Sequence, residues 1–274
     1  MNSSHAENYF LIDPVLFRLG PLEIRWYGLM YLVGFAIAYF IIKSEFKRRG
    51  GPLPTEVAGD FLFYLILGLM LGARVGYVIF YNFDVYLHQP SEIFAVWRGG
   101  MSFHGGMLGM IVSGWVFSKT RGVSFLVLAD IASLSVPLGL MAGRIGNFIN
   151  GDLYGRVTTV RWGMIFRGAG DLPGHPSQLY EAFMEGPVLF LILWSLRRRM
   201  TLPGSILALF IILYGVFRFV AEFFREPDVQ LGYLHFGLTM GQILCLMMIA
   251  GGSILMLALR KYSKTDKVDS GSAG

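Results

Sequence analysis

The sequence predicts an all-α polytopic membrane protein with seven transmembrane helices. Three observations carry that prediction. Of 274 residues, 54% are hydrophobic and 15% are charged, whereas a soluble domain carries about 25% charged residues. Seven apolar stretches approach or reach the length of about 20 residues that a bilayer core requires. Basic clusters recur at alternate ends of those stretches. This composition excludes a soluble globular enzyme, a disordered chain and an ordinary nucleic-acid-binding protein, and no nucleic acid is expected as a partner. The single cysteine, Cys245, excludes an internal disulfide and a thiolate metal cluster.

The stretches run over 24–42, 57–80, 101–118, 123–142, 178–196, 204–222 and 235–259. The first has no basic region before it and no small-residue cleavage site after it, so it is expected to be a retained anchor. Lys43, Lys47, Arg48 and Arg49 follow it. Lys119 and Arg121 follow the third stretch, Arg197, Arg198 and Arg199 the fifth, and Arg260, Lys261, Lys264 and Lys267 the seventh. These clusters contain every lysine of the chain. The positive-inside rule then places the N-terminus outside and the C-terminus in the cytoplasm. Residues 1–264 are expected to form one transmembrane domain, with 143–177 as a small outer-face cap and 265–274 as a disordered tail. The stretch 91–98 is too short to span and reads as an interfacial helix.

With that orientation the outer loops lack lysine but keep Arg98, Arg144, Arg156, Arg161, Arg167 and Arg225. Arginine grips phosphate or carboxylate with a planar fork of donors. Ionisable groups within the spans default to function or pairing. Asp60 and Arg74 are fourteen residues apart on one helix, too far to meet, so each is expected to pair elsewhere or to snorkel. His104 lies in Gly99-Gly100-Met101-Ser102-Phe103-His104-Gly105-Gly106, where bare backbone lets a large ligand approach. It reads either as a functional imidazole or as an interhelical hydrogen-bond donor. Gly143-Arg144-Ile145-Gly146-Asn147-Phe148-Ile149-Asn150-Gly151-Asp152 reads as a phosphate-holding cluster or as a polar turn leaving the fourth helix. Tyr214, Arg218 and Glu222 share one helix face at i, i+4, i+8, with Arg225 close by. Arg218 and Glu222 either neutralise each other or hold an oriented phosphate-binding cation. Glu181 and Glu185 are likewise i, i+4, and Cys245 reads as a packed small hydrophobe.

Taken together, these motifs resemble the bacterial phosphatidylglycerol–prolipoprotein diacylglyceryl transferase family. The resemblance rests on Arg25-Trp26-Tyr27-Gly28, Ser102-Phe103-His104-Gly105-Gly106 and Gly143 to Asn150. His175-Pro176-Ser177-Gln178-Leu179-Tyr180-Glu181 and Arg218-Phe219-Val220-Ala221-Glu222-Phe223-Phe224-Arg225 complete it, in the same order along the chain. It departs at Asp152, where the family carries Glu; a carboxylate remains, one methylene shorter.

The resemblance implies transfer of an sn-1,2-diacylglyceryl group from phosphatidylglycerol to the lipobox cysteine thiol of a preprolipoprotein. A thioether forms and glycerol-1-phosphate leaves. It implies a bacterial cytoplasmic membrane enzyme, with membrane lipid around it, a site open to the outer face, and no metal or cofactor. The thiol must become a thiolate. His104 is the leading general base, with Tyr214 as an alternative. Arg218, oriented by Glu222, is the leaving-group cation. Arg144 is the headgroup clamp, and Asn147, Tyr27, Asn150, Asp152, Gly155 and Arg225 are the further phosphatidylglycerol-binding residues. Two rival classes predict other patterns. A transporter predicts inverted repeats and midplane charges, and no repeat is visible. An intramembrane serine protease would pair Ser102 with His104, but residues two apart point to different sides of a helix.

Overall fold

The computed structural model describes residues 12–271, apart from 21, 51–53, 168 and 227–236. Its helices are α1 (Trp26–Arg49), α2 (Ala58–Phe80), α3 (Phe83–His88), α4 (Phe103–Arg121), α5 (Phe125–Asn150), α6 (Ser177–Phe183), α7 (Leu189–Leu196), α8 (Ser205–Ala221) and α9 (Met240–Gly271). An antiparallel hairpin precedes them, β1 (Val15–Leu19) with β2 (Leu22–Arg25). The expectation of helices alone omitted this hairpin, because two strands of five and four residues leave too short an alternation to read.

Five helical segments are long and apolar enough to cross a membrane: Trp26–Arg49, Thr55–Phe80, Phe125–Asn150, Ser177–Leu196 and Met240–Ser263. The α8 helix is apolar but has only 17 residues. The α4 helix spans 19 residues and is diluted by glycine, serine, His104, Lys119 and Arg121. The architecture is that of a mostly helical, multi-pass membrane protein. Large apolar side chains such as Leu32, Phe40, Leu71, Phe80, Leu108, Ile254 and Leu257 stand exposed along the helices, as a lipid-facing surface requires.

Four features differ from those expected. The α5 helix continues through the Arg144–Asn150 motif, which is therefore two helical turns and not a loop. The fifth stretch is broken: Met184–Val188 forms a π-turn between α6 and α7, with Gly186 at φ −95°, ψ −105° and Pro187 inside. Proline has no N–H and its ring displaces the carbonyl of the preceding turn, so the helix widens there. The α9 helix extends past residue 264 to Gly271, since neither Gly nor Pro interrupts 253–270. Residues 91–98, expected to form one interfacial helix, lie instead in two 3₁₀ turns, Pro90–Phe94 and Val96–Arg98, which follow α3.

The chain divides into two compact units. The first comprises residues 1–38 and 132–274, the second 39–131. In the second unit, Phe46, Phe61 and Phe117 form a buried aromatic core, and Asp60 pairs with Arg121 at 2.6 Å. There α2 lies against α4 through Gly68, Gly72 and Gly76 facing Gly105 and Gly109, an approach that any side chain would block. In the first unit, α1 meets α5 where Gly34 faces Gly139 and Tyr27 lies over Gly146. Gly186 of the π-turn abuts Met141 of α5, and Gly215 of α8 abuts Cys245 and Ile249 of α9. These close crossings let charged side chains of α5, the α6 segment and α8 meet at one end of the first unit.

Candidate active site

At that end, Arg144 near the C-terminus of α5, Glu181 of α6 and Glu185 of the π-turn meet Arg218 of α8. Glu222 and Arg225 follow α8 directly. Glu181 is the centre. Its carboxylate receives Arg144 Nε at 2.8 Å, Arg218 Nη1 at 2.5 Å and Arg225 Nη1 at 3.4 Å. Arg218 also reaches Glu222 at 3.1 Å through Nη2, as its i, i+4 spacing predicts. Glu222 in turn accepts a hydrogen bond from the Thr239 hydroxyl at 3.1 Å, and Gly241 gives it room. The glutamates are almost completely buried and the arginines only 12–17% exposed, so these pairs are shielded from solvent screening.

Glu185 is different. It is fully buried, and neither of its oxygens accepts a hydrogen bond among the described residues. Its nearest guanidinium nitrogens, on Arg144 and Arg218, are each 3.8 Å away. Among the described residues, the two terminal nitrogens of Arg144 have no hydrogen-bond partner. Arg144 thus anchors to Glu181 through Nε and presents the outer prongs of its fork.

Residues 151–167 and 169–176, a run of turns and bends joined by isolated β-bridges, cap the end of α8. Gly155 bridges to Arg225, its N–H donates to His175 O, and a side chain there would strike Phe224 O and His175. Arg156 donates through Nε to Arg225 O at 2.6 Å and through its N–H to Phe224 O. Gln178 holds Asp152 O at 2.7 Å, and Ser177 donates to Leu153 O. Gly155 and Arg156 therefore seat the backbone that carries Arg225. The Tyr180 hydroxyl accepts from Trp162 Nε1 at 2.7 Å and lies 3.2 Å from His175 Nδ1. Burial among Tyr180 and Phe224 pulls the His175 imidazole below its ordinary pKa.

The predicted residues fall as follows. Arg144, Arg218, Glu222 and Arg225 belong to the network just described. Tyr27 lies on α1 against Gly146, its hydroxyl 3.1 Å from that of Tyr31. Asn147 and Asn150 lie on the last two turns of α5, and Asn150 Oδ1 is buried without a partner among the described residues. Asp152 follows with its side chain exposed. Tyr214 stacks on Phe210 one turn before Arg218, within electrostatic reach of Glu185 and Arg218. His104 belongs to the second unit, exposed in the first turn of α4, with Ser102 capping that helix by accepting from Gly105 N–H. Sequence reasoning gave Glu222 the task of orienting Arg218 and left Glu181 and Glu185 without a role. Their i, i+4 spacing was the available signal. What it concealed was that α6 brings them to arginines of α5 and α8.

The fold and this site define a class: a multi-pass helical membrane protein whose polar centre is a buried arginine–glutamate network at one end of its helices. More particularly, the chain belongs to the prolipoprotein diacylglyceryl transferase family, whose model matches residues 14–258. It is 54% identical over 251 residues to the phosphatidylglycerol–prolipoprotein diacylglyceryl transferase of Geobacter sulfurreducens, covering 91% of this chain and 96% of that protein. The proteins of the same name from Oleidesulfovibrio alaskensis and Coxiella burnetii are 51% and 52% identical. These matches cover 93% and 91% of this chain and 96% of each relative.

Proposed function

We propose that this enzyme transfers the sn-1,2-diacylglyceryl group of phosphatidylglycerol to the lipobox cysteine thiol of preprolipoproteins, the first step of lipoprotein maturation. The cysteine sulfur bonds to C3 of the diacylglyceryl glycerol. The C3–O bond breaks, and that oxygen leaves on phosphate as glycerol-1-phosphate. The thiol proton passes to a base. The protein works in the bacterial cytoplasmic membrane as seven spans, with α4 and α8 counted among them. The N-terminus and the Arg144 end face the outer side, and the C-terminus is cytoplasmic.

The observation that carries this reading is the convergence of Arg144, Arg218 and Arg225 on Glu181, with the outer prongs of Arg144 unpartnered among the described residues. A guanidinium anchored at one nitrogen and open at two is suited to grip a phosphodiester in a bidentate manner. A rigid, water-poor cluster of cations stabilises the charge that grows on a departing phosphate. Arg144 clamps the headgroup, assisted by Asn147, Asn150, Tyr27, Asp152 and Arg225, with Gly155 seating Arg225. Arg218 takes the leaving-group charge, held by Glu222 and Glu181. His104, exposed and flanked by glycine, takes the thiol proton, with Tyr214 the alternative.

Purified protein, phosphatidylglycerol and a lipobox peptide test the reading by mass spectrometry. The diacylglyceryl adduct should form on the cysteine peptide and not on its Cys→Ser counterpart. Adduct on the serine peptide, or none on either, rejects the activity. His104→Asn should reduce turnover by a factor on the order of 10² to 10⁴, with lipid binding retained. The defect should shrink as pH approaches the thiol pKa of about 8.5. A pH-independent defect with lost lipid binding assigns the proton to another group.

A further inference from the structure

The second unit contains a buried cation that the reaction as described does not use. Arg74 lies in α2, less than two turns from its end, and is only 6% exposed. No carboxylate pairs with it among the described residues. Among the described residues its guanidinium donates only to main-chain carbonyls: Nε to Ile93 O at 2.8 Å, Nη2 to Glu92 O at 2.5 Å and Ala95 O at 3.5 Å, and Nη1 to Gly99 O at 2.7 Å and Gly100 O at 3.0 Å. The ring of Tyr86 covers it at 5.3 Å. Burying a charge is expensive unless dipoles replace its hydration. Here they come from the carbonyls of the 92–100 loop.

That loop leads directly to His104. Gly99 and Gly100 take φ +82° and +79°, the left-handed region that glycine enters without strain. In that conformation both carbonyls meet Nη1 of Arg74. Two residues later, Ser102 N–H donates to Ala73 O at 2.9 Å, beside Arg74. The Ser102 hydroxyl then caps α4, and His104 is the second residue of that helix. Residues 92–102 are thus tied to consecutive residues of α2, while Gly72 and Gly76 against Gly105 set the depth of the α2–α4 contact.

We propose that Arg74 is a positioning residue that sets the start of α4 and thereby aims His104. This rests on the reading of His104 as the base. Lysine keeps the charge at position 74 but offers one compact ammonium, which does not span carbonyls of 92–93 and 99–100 together. Arg74→Lys should lower kcat on the order of 10²-fold, the cost of misplacing a reacting group by about 1 Å. The KM for phosphatidylglycerol should stay within about twofold, because no headgroup contact changes.

The same tie is broken from the other side by Gly100→Ala. The new Cβ would lie 2.6 Å from Tyr77 Cε1 and 2.9 Å from Arg74 Nη1. This variant decides the matter should Arg74→Lys fail to give a monodisperse, cooperatively unfolding protein. Each substitution is then repeated in the His104→Asn background. If Arg74 acts through His104, the second change should alter kcat by no more than about twofold there. Multiplying defects, wild-type kcat in both single variants, or a defect confined to KM would overturn the proposal. Wild-type turnover of His104→Asn alone would reject the base assignment and the positioning role with it. Multiplying defects on top of an impaired His104→Asn would reject only the positioning role.

Discussion

Replacing Glu181 by Gln keeps the volume and removes one charge at the centre of the network. Three guanidiniums lie within 3.4 Å of that carboxylate, and its side chain is only 1% exposed. At an effective dielectric of about 20, each unit-charge pair is worth about 4 kcal/mol at 4 Å. The gross electrostatic loss is therefore about 12 kcal/mol, most of it offset by desolvation no longer suffered. Removing one partner of a buried pair leaves a net cost of about 3–5 kcal/mol, and with three cations affected the upper end is expected. The new amide also turns an N–H₂ toward a guanidinium, placing donor against donor. At about 2–4 °C per kcal/mol, Glu181→Gln should unfold about 10 °C or more below the parent protein. Cys245 is the only cysteine and is buried, so a thiol-reactive dye in detergent micelles reports unfolding. Glu185→Gln is the internal comparison. Glu185 accepts no hydrogen bond among the described residues and stands 3.8 Å from the nearest nitrogens of Arg144 and Arg218. Its loss should cost less than that of Glu181, because two guanidiniums face it instead of three, each is farther away, and no hydrogen bond is given up. Equal shifts for the two variants, or a Glu181→Gln midpoint within about 2 °C of the parent, would show that Glu181 is not the hub.

Arg144→Lys keeps charge and loses the two-pronged fork, so turnover should nearly vanish, and Arg144→Ala should also lose phosphatidylglycerol binding; near-normal Arg144→Lys would show that charge alone suffices. Reporters fused after Arg49, Arg121, Arg199 or Lys264 should be cytoplasmic, and one inserted within 160–172 external; a cytoplasmic signal at 160–172 reverses the orientation. His175, held below its ordinary value by burial, makes the cap pH-sensitive. Its folded pKa is depressed, so the unfolded chain takes up the proton first; the contribution is full above about pH 6.5 and erodes below it, until the folded pKa is passed. Proteolysis within 160–172 should therefore quicken between pH 7 and pH 5, and a pH-independent rate would refute this.

Much of the molecule was legible in local pattern. Apolar stretches located every long helix, because a span must be continuously apolar and carry its own backbone hydrogen bonds. The i, i+4 spacing of Arg218 and Glu222 was enough to pair them, and the separation of Asp60 from Arg74 was enough to keep them apart. Arg121 proved to be the partner of Asp60, and loop carbonyls those of Arg74. Helical periodicity reports only neighbours three or four positions away. It is silent on Glu181 meeting Arg218 across 37 residues and Arg225 across 44. Those meetings depend on glycine-lined crossings and on the break at Gly186-Pro187, which positions Glu181 and Glu185 toward α5 and α8. The identity of the charged groups was written in the chain. Which of them share a charge was decided by helix packing, because in a buried site the partner's distance sets the energy and only tertiary structure sets that distance.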